Sequence, residues 1–461
     1  MAQMLKINSP FDGQQVGEVS FMEEDEIEGA LELAYRTFSD REKWLPPYQR
    51  IEILERLATL LDRDKDQLIT TAASEGGKPY ADSKVEVERA IQGVKIAISE
   101  IHHIHGEEIP MGLTQSSVGR LAFTMWEPIG VVAAVSAFNH PLNLIVHQVV
   151  PAIATGCPIL IKPARTTPLS CLALVKLLKE AGLPQGWCQT IICKNALAEK
   201  MITDPRVNFF SFIGSAKVGW HLNGKLSPGT RSALEHGGVA PVIVEADADI
   251  NGALPLLAKG GFYHAGQVCV SVQRVFAHES IAPTVARGIA DAGSKMKVGD
   301  PLDPTTEVGP LITHGDVDRV DEWVGEARQS GGEILCGGKR TSDSLYPPTV
   351  IYNPSLSVKV STQEIFGPVV CVYPYKDLKE AIAWSNSLPF AFQSSIFTKN
   401  INVALDTVKL LNATAVMVND HTAFRVDWMP FGGRDSSGLG LGGIPHTMHD
   451  MLRTKLMVIR S

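Results

Sequence analysis

None of the seven cysteines (Cys157, Cys171, Cys188, Cys193, Cys269, Cys336 and Cys371) pairs with another at CxxC spacing. An odd, dispersed set excludes a disulfide framework and a structural zinc site, so no metal is expected. Basic runs of five or six residues are missing too, and the net charge is −8. Such a surface offers little to a phosphate backbone, which argues against nucleic acid as a partner. The opening residues, MAQMLKINSPFDG, contain no apolar core of the signal-peptide kind. Together with the unpaired cysteines this predicts a cytoplasmic location. Internal repeats and low-complexity stretches are also lacking.

Charge itself is absent from one segment. Between Pro128 and Ile161 there is no Asp, Glu, Lys or Arg, a length that could cross a membrane. Gly130, Pro141, Pro151, Gly156 and Pro158 interrupt it, however, and Asn139, His140, Asn143 and His147 lie within it. Two buried strands with a helix between them account for it better than a membrane helix does.

With 461 residues, 44% of them apolar and 20% charged, the chain can build two or three domains with large cores. Apolar residues at three- and four-residue steps predict helices over 25–39, 51–73 and 81–103. From Ile129 strand-like and helix-like segments alternate. Strands are predicted at 130–136, 158–161, 190–193, 207–213, 242–245 and 274–277, and helices at 170–181 and 250–263. Doubly apolar strands in such alternation indicate parallel sheets covered on both faces, an α/β fold. The last segment, 452–459, reads as a strand with nothing after it to pair with, and an uncovered edge is a liability.

Several short segments carry chemistry. The strand 207–213 runs into Gly214-Ser215-Ala216-Lys217-Val218-Gly219 and a helix. That turn either approaches a phosphate at the helix start or is an ordinary connection, since it has neither the G-x-G-x-x-G pattern nor a P-loop. Lys162 and Arg165 follow another strand end, where ligands of open α/β sheets gather; they either hold a phosphate or ribose or lie in a solvated loop. Glu235 precedes Gly237 and Gly238, and 34 residues later Cys269 stands in the uncharged run Gly266-Gln267-Val268-Cys269. Taken singly, Cys269 reads equally as a buried thiol, and Asn139 as a turn residue.

Taken together, these segments resemble the aldehyde dehydrogenase superfamily along nearly the whole chain. The matching stretches, in order, are Pro128-Ile129-Gly130-Val131-Val132, Phe138-Asn139-His140-Pro141, Lys162-Pro163, Phe212-Ile213-Gly214-Ser215, Leu234-Glu235-His236-Gly237-Gly238, Gly266-Gln267-Val268-Cys269 with Arg274, Glu364-Ile365-Phe366-Gly367-Pro368, and Pro430-Phe431-Gly432-Gly433. The resemblance implies a Rossmann-type cofactor domain (1–108 and 128–236), an α/β catalytic domain (237–447) and a bridging β arm (109–127 and 448–461). It implies NAD(P)-dependent oxidation of an aldehyde to a carboxylate. Cys269 matches the nucleophile, Asn139 an oxyanion donor, and Glu235 the base that activates water against the thioester. Lys162, Gly214, Ser215, Gly219, Glu364 and Phe366 match cofactor contacts. The arm and the terminal strand imply a homodimer or homotetramer.

The chain departs from the family at several points. Arg165 stands where NAD-preferring relatives often carry a glutamate. The exchange removes repulsion toward a 2′-phosphate and implies that NADP is accepted. His236, Gln148, Asp435 and Leu441-Gly442 also replace usual residues. His140, Asn143 and His147 stand where the substrate tunnel commonly carries aromatic or aliphatic side chains. Arg425 lies in an FR-x-D-x-MPFGG stretch similar to that of relatives acting on short polar aldehydes such as lactaldehyde. These four residues predict a small, polar, anionic or hydroxylated substrate. Two other readings remain: a coenzyme-A-acylating dehydrogenase, in which a thiol replaces water, and a catalytically idle member acting as a binding protein.

Overall fold

After an antiparallel strand pair, Met4–Asn8 and Gln15–Ser20, helices dominate up to residue 101 because each has one apolar face to bury, and the computed structural model, which describes residues 3–460, shows where those faces go. Glu24–Ser39 buries Ile27, Ala30, Leu31 and Ala34. The stretch 51–73, which the periodicity reads as one helix, is two helices, Pro47–Arg63 and Lys65–Gly76. Asp64 ends the first and opens the second with φ −99° and ψ 12°. Its carboxylate does not cap the second helix but accepts from the Arg63 guanidinium. The second helix stops at Gly77, whose φ of +67° is left-handed. A Cβ there would lie 2.7 Å from Cγ of both Pro10 and Pro310. The chain then enters the long helix Tyr80–Ile101.

The uncharged run folds as strand Val131–Val135, helix Asn143–Thr155 and strand Ile159–Lys162, all largely buried. No helix among the described residues is long and apolar enough to cross a membrane. These strands join a six-stranded sheet. Its order is Gly438–Leu439, Arg231–Glu235, Val207–Ile213, Val131–Val135, Ile159–Lys162, Cys188–Thr190. The last five run parallel. The outermost, expected at 190–193, pairs instead through Cys188–Thr190, with Ile159 opposite Cys188 and Ile161 opposite Thr190.

A second sheet has seven strands in the order Glu333–Cys336, Thr349–Tyr352, Val369–Tyr375, Arg274–His278, Pro241–Val244, Gln393–Phe397, Ala415–Val418. Only its first pair is antiparallel. The central strands are apolar on both faces and are packed into one core with the helices Ile250–Phe262 and Ala282–Lys295. The chain returns to the first sheet at Gly438–Leu439, antiparallel to Arg231–Glu235. Ile444 and Met448 of the next helix then join the core around the uncharged segment.

The terminal strand is not alone. Leu452–Arg460 pairs antiparallel with Arg120–Pro128 of the same chain over nine residues, Leu452 opposite Pro128 and Arg460 opposite Arg120. No later segment could reveal this partner, which lies more than 300 residues earlier, largely within the arm segment 109–127 that the resemblance implied. Glu108–Ile109 adds a third strand. Leu456, Met457, Val458 and Ile459 remain exposed.

Candidate active site

In a parallel sheet the carboxyl ends of all strands face one way, so the loops that follow them converge. Here Val131–Val135 leads to Ser136, Phe138 and Asn139, Val207–Ile213 to Gly214 and Ser215, and Arg231–Glu235 ends on Glu235 itself. The second sheet faces them with two loops, one carrying Cys269, the other Glu364 and Phe366. Together they line a cavity of about 530 Å³ that also includes His140, Asn143, Arg89, Tyr263 and Arg425.

The loop before Cys269 has an unusual backbone. His264 (φ 47°), Ala265 (φ 53°) and Gly266 (φ 68°) take left-handed conformations in succession, a course that costs energy at non-glycine positions. A Cβ on Gly266 would lie 2.1 Å from the Gly367 carbonyl oxygen. Gln267 anchors the loop: its Nε2 donates to the Pro310 carbonyl at 3.2 Å, and its Oε1 accepts from Ile312 N–H at 2.9 Å. The Gln267 carbonyl in turn accepts from Asn139 Nδ2 at 2.9 Å. One amide hydrogen of Asn139 is thereby fixed, and the other is free for an oxyanion in the cavity.

Electrostatics in the cavity are set by burial. The Cys269 thiol is pushed up to about 12 by desolvation, with Glu364 and Glu235 adding to the rise and Arg425 opposing it. At rest the group is therefore a protonated thiol. Glu235 is raised by burial too, against Arg425. Glu364 is pushed up to about 8 by burial, opposed by Arg319 and by a hydrogen bond from the Gly238 backbone.

A thiol, a buried carboxylate and a poised amide in one cavity suit addition to a carbonyl followed by hydrolysis. The chain matches the model of the aldehyde dehydrogenase family over residues 2–457. It belongs to that family. It is 35% identical to 3-sulfolactaldehyde dehydrogenase of Priestia aryabhattai, over 99% of this chain and 95% of the relative. It is also 35% identical to lactaldehyde dehydrogenase of Methanocaldococcus jannaschii, over 99% and 97% respectively. Among solved structures, aldehyde dehydrogenase 21 of Physcomitrella patens, in complex with the reaction product succinate, superposes with a TM-score of 0.96. It is 34% identical, with coverage of 100% of this chain and 95% of that one. The glyceraldehyde-3-phosphate dehydrogenase of M. jannaschii complexed with NADP gives a TM-score of 0.95 at 34% identity, with full coverage of both chains.

In this aldehyde dehydrogenase the residues matched to cofactor contacts fall into two groups. Gly214, Ser215, Glu364 and Phe366 line the cavity, and Phe366 packs edge-on against Phe138 at 5.8 Å between ring centroids. Lys162, Arg165 and Gly219 stand outside its wall. Lys162 is buried at the end of strand Ile159–Lys162, and Arg165 is exposed three residues on. Burial lowers the Lys162 ammonium, with Cys193 opposing and Arg165 reinforcing the shift. Gly219 sits inside the helix Ala216–Asn223, where a Cβ would meet His236 Nε2 at 2.1 Å. Its visible role is close packing of that helix.

Glu364 Oε1 is buried and has no hydrogen-bond partner. Such an atom calls for a donor. Gly237 leaves room for this carboxylate, since a Cβ there would lie 1.7 Å from Oε1. Gly237→Ala is expected to displace Glu364 and weaken cofactor binding about tenfold, the scale of a 1–3 kcal/mol overpacking cost. Titrating the cofactor against protein fluorescence checks this; unchanged affinity would remove Glu364 from the binding site.

The four predicted substrate residues are also sorted by the structure. His140 lines the cavity, and its Nε2 is 3.0 Å from Tyr263 Oη. Burial holds its pKa well below the usual value, Lys78 reinforcing it, so the ring is neutral. His147 stands behind the wall. Its Nε2 lies 2.7 Å from Asp427 Oδ1, and Arg425 Nη2 lies 3.3 Å from its Nδ1. Burial, reinforced by Arg425, lowers His147 to about 4 against the pull of Asp427. A neutral ring with its proton on Nε2 donates to Asp427 and accepts from Arg425. Burial alone would raise Asp427, but hydrogen bonds from His147 and Arg89 hold it well below the usual carboxylate range. Arg89 reaches it twice, at 2.6 and 3.1 Å. Sequence reading missed Arg89 and Asp427. Asp427 stood within the FR-x-D stretch, whereas Arg89, on the helix Tyr80–Ile101, carried no local mark.

Proposed function

We propose that the chain oxidises a small polar aldehyde bearing an anionic group and a hydroxyl, using NAD(P)+, through a thioester on Cys269. The observation that carries the substrate class is a pair of buried polar atoms on the cavity wall with no partner in the protein, Arg425 Nε and Asn143 Oδ1. Arg425 offers an anion a cation that is held by His147 and stacked 3.5 Å over the Phe431 ring centroid. Asn143 Oδ1 offers an acceptor to a hydroxyl, its Nδ2 being 3.4 Å from Asp427. Relatives named for lactaldehyde and sulfolactaldehyde agree with this class.

In the proposed reaction Cys269 gives up its proton to solvent water in the cavity and adds as thiolate to the aldehyde carbon, while the oxyanion is stabilised by Asn139 Nδ2 and the Cys269 backbone N–H. Bound NAD(P)+ supplies the acceptor for the hydride that leaves this carbon, and a thioester remains. Glu235 takes a proton from water as its oxygen attacks the thioester; the carbon–sulfur bond breaks, the remaining proton of that water passes to the departing sulfur, and carboxylate leaves with the Cys269 thiol restored. A raised Glu235 retains its proton to higher pH than an ordinary carboxyl, so turnover should climb as pH rises through that value. Glu235 in the cavity beside Cys269 favours water over coenzyme A as acyl acceptor, and the complete set of Cys269, Glu235 and Asn139 disfavours an idle protein.

The test is a panel of aldehydes offered with NAD and NADP separately to the wild type and Arg425→Met. Lactaldehyde, its sulfonated form and succinic semialdehyde should be turned over better than a long aliphatic aldehyde. Arg425→Met should raise KM for anionic members about 10- to 100-fold, the loss of a charge-assisted contact, and leave lactaldehyde less affected. Faster turnover of the aliphatic aldehyde would sink the substrate class. Turnover with NADP is expected from Arg165; strict NAD use would refute that part.

A further inference from the structure

The segment that follows Gly77, Lys78 and then the helix Tyr80–Ile101, carries ionisable side chains where none is needed for packing. Lys78 and Glu86 are both fully buried, with Nζ 2.8 Å from Oε2. A buried pair of this kind is seldom more stabilising than apolar residues of the same size. The other oxygen, Glu86 Oε1, accepts two backbone N–H groups, those of Leu142 and Asn143, at 2.9 Å each. These open the helix Asn143–Thr155, whose own N-cap residue, Leu142, has no side chain able to cap it. Glu86 thus performs the capping from another helix, three residues from Asn139.

One helical turn earlier, on the same face, Asp82 Oδ2 accepts from His264 N–H at 3.3 Å. His264 is the first of the three left-handed residues leading to Cys269. Lys78 Nζ lies 5.7 Å from the Tyr263 ring centroid, and Tyr263 Oη is 3.0 Å from His140 Nε2. The side chains of one helix start therefore hold the oxyanion loop through Glu86 and the nucleophile loop through Asp82.

We propose that Lys78, Asp82 and Glu86 form a buried strut that sets Asn139 and Cys269 relative to one another, with Asp82 and Glu86 as positioning residues for the reaction. The strut rests on the reading that Cys269 is the nucleophile and Asn139 the oxyanion donor. Burial pushes the Asp82 carboxyl up to about 6 and Lys78 opposes the rise, consistent with a cation shared between the two acids. Because a shift of a fraction of an ångström in either loop misaligns attack, the expected effect falls on kcat.

The experiment compares Glu86→Gln, Asp82→Asn, Lys78→Met and the double variant Lys78→Met/Glu86→Gln in the full-length enzyme. It measures kcat, both KM values, melting temperature and the rate of Cys269 alkylation by iodoacetamide, which needs the thiol but no oxyanion donor. Glu86→Gln should lower kcat about 10- to 100-fold, with cofactor KM within about twofold and alkylation near the wild-type rate. Asp82→Asn should change kcat and alkylation together. The double variant should exceed Lys78→Met in kcat, since it removes the uncompensated buried charge. If Lys78→Met does not fold, the two near-isosteric single variants still decide the matter. Folded Glu86→Gln and Asp82→Asn with wild-type kcat, or losses that merely track the folded fraction, would overturn the strut. Activity surviving in Cys269→Ala would instead overturn the reading beneath it.

Discussion

Glu235→Gln is expected to release about one equivalent of reduced cofactor per site and then stall. Glutamine keeps the size and the hydrogen-bonding outline of the side chain but cannot accept a proton from water. Formation of the thioester needs only Cys269, an oxyanion donor and a hydride acceptor, so the first half-reaction survives. Hydrolysis loses the general base proposed for it, a contribution of about 10²- to 10⁴-fold. The room for this chemistry is visible around the carboxylate: a Cβ on Gly442 would lie 2.0 Å from Glu235 Oε1. Stopped-flow absorbance of the reduced cofactor, with intact-mass detection of an acyl adduct on Cys269, checks the expectation. Repeated turnover at the wild-type rate would show that another group activates the water. If Glu235 also relieves the thiol of its proton, the burst becomes slower without becoming smaller.

Cys269→Ala should abolish reduced-cofactor formation with every aldehyde while leaving cofactor affinity within about threefold. No other cysteine lines the cavity, and a hydroxyl is a far weaker nucleophile than a thiolate near neutral pH. The mutated side chain is only partly buried, so truncation should cost little stability. With the thiol of Cys269 pushed up to about 12, alkylation of the free wild-type enzyme should keep rising through pH 9 without a plateau. A plateau near pH 7 would mean that the resting nucleophile is already a thiolate. Measuring turnover with Cys269→Ala beside the aldehyde panel separates an unsuitable substrate from a wrong nucleophile.

Much of the site could be read along the chain, because its chemistry demands particular residue types within short segments. A strand ending in Gly214-Ser215, a carboxylate before Gly237 and Gly238, and a cysteine after Gly266-Gln267 are each local arrangements. The strand Val207–Ile213 falls on its predicted bounds, since a strand buried on both faces needs a largely apolar run, here broken only by Asn208 and Ser211. The helix break at Asp64 was less legible, because the apolar spacing continues across it and only the backbone angles change.

By itself the sequence determined the element types and the family and singled out the candidate reacting groups, all of which depend on periodicity and on residue chemistry within a few positions. Tertiary structure decided the rest. It paired Leu452–Arg460 with Arg120–Pro128, brought Arg89 to Asp427 across 338 residues, and set Glu86 beneath the helix that follows Asn139. It also separated His147 from the cavity that His140 and Asn143 line. Those outcomes depend on which faces of distant elements pack together, and a charge acquires a partner, or is left without one, only once that packing has removed the water around it.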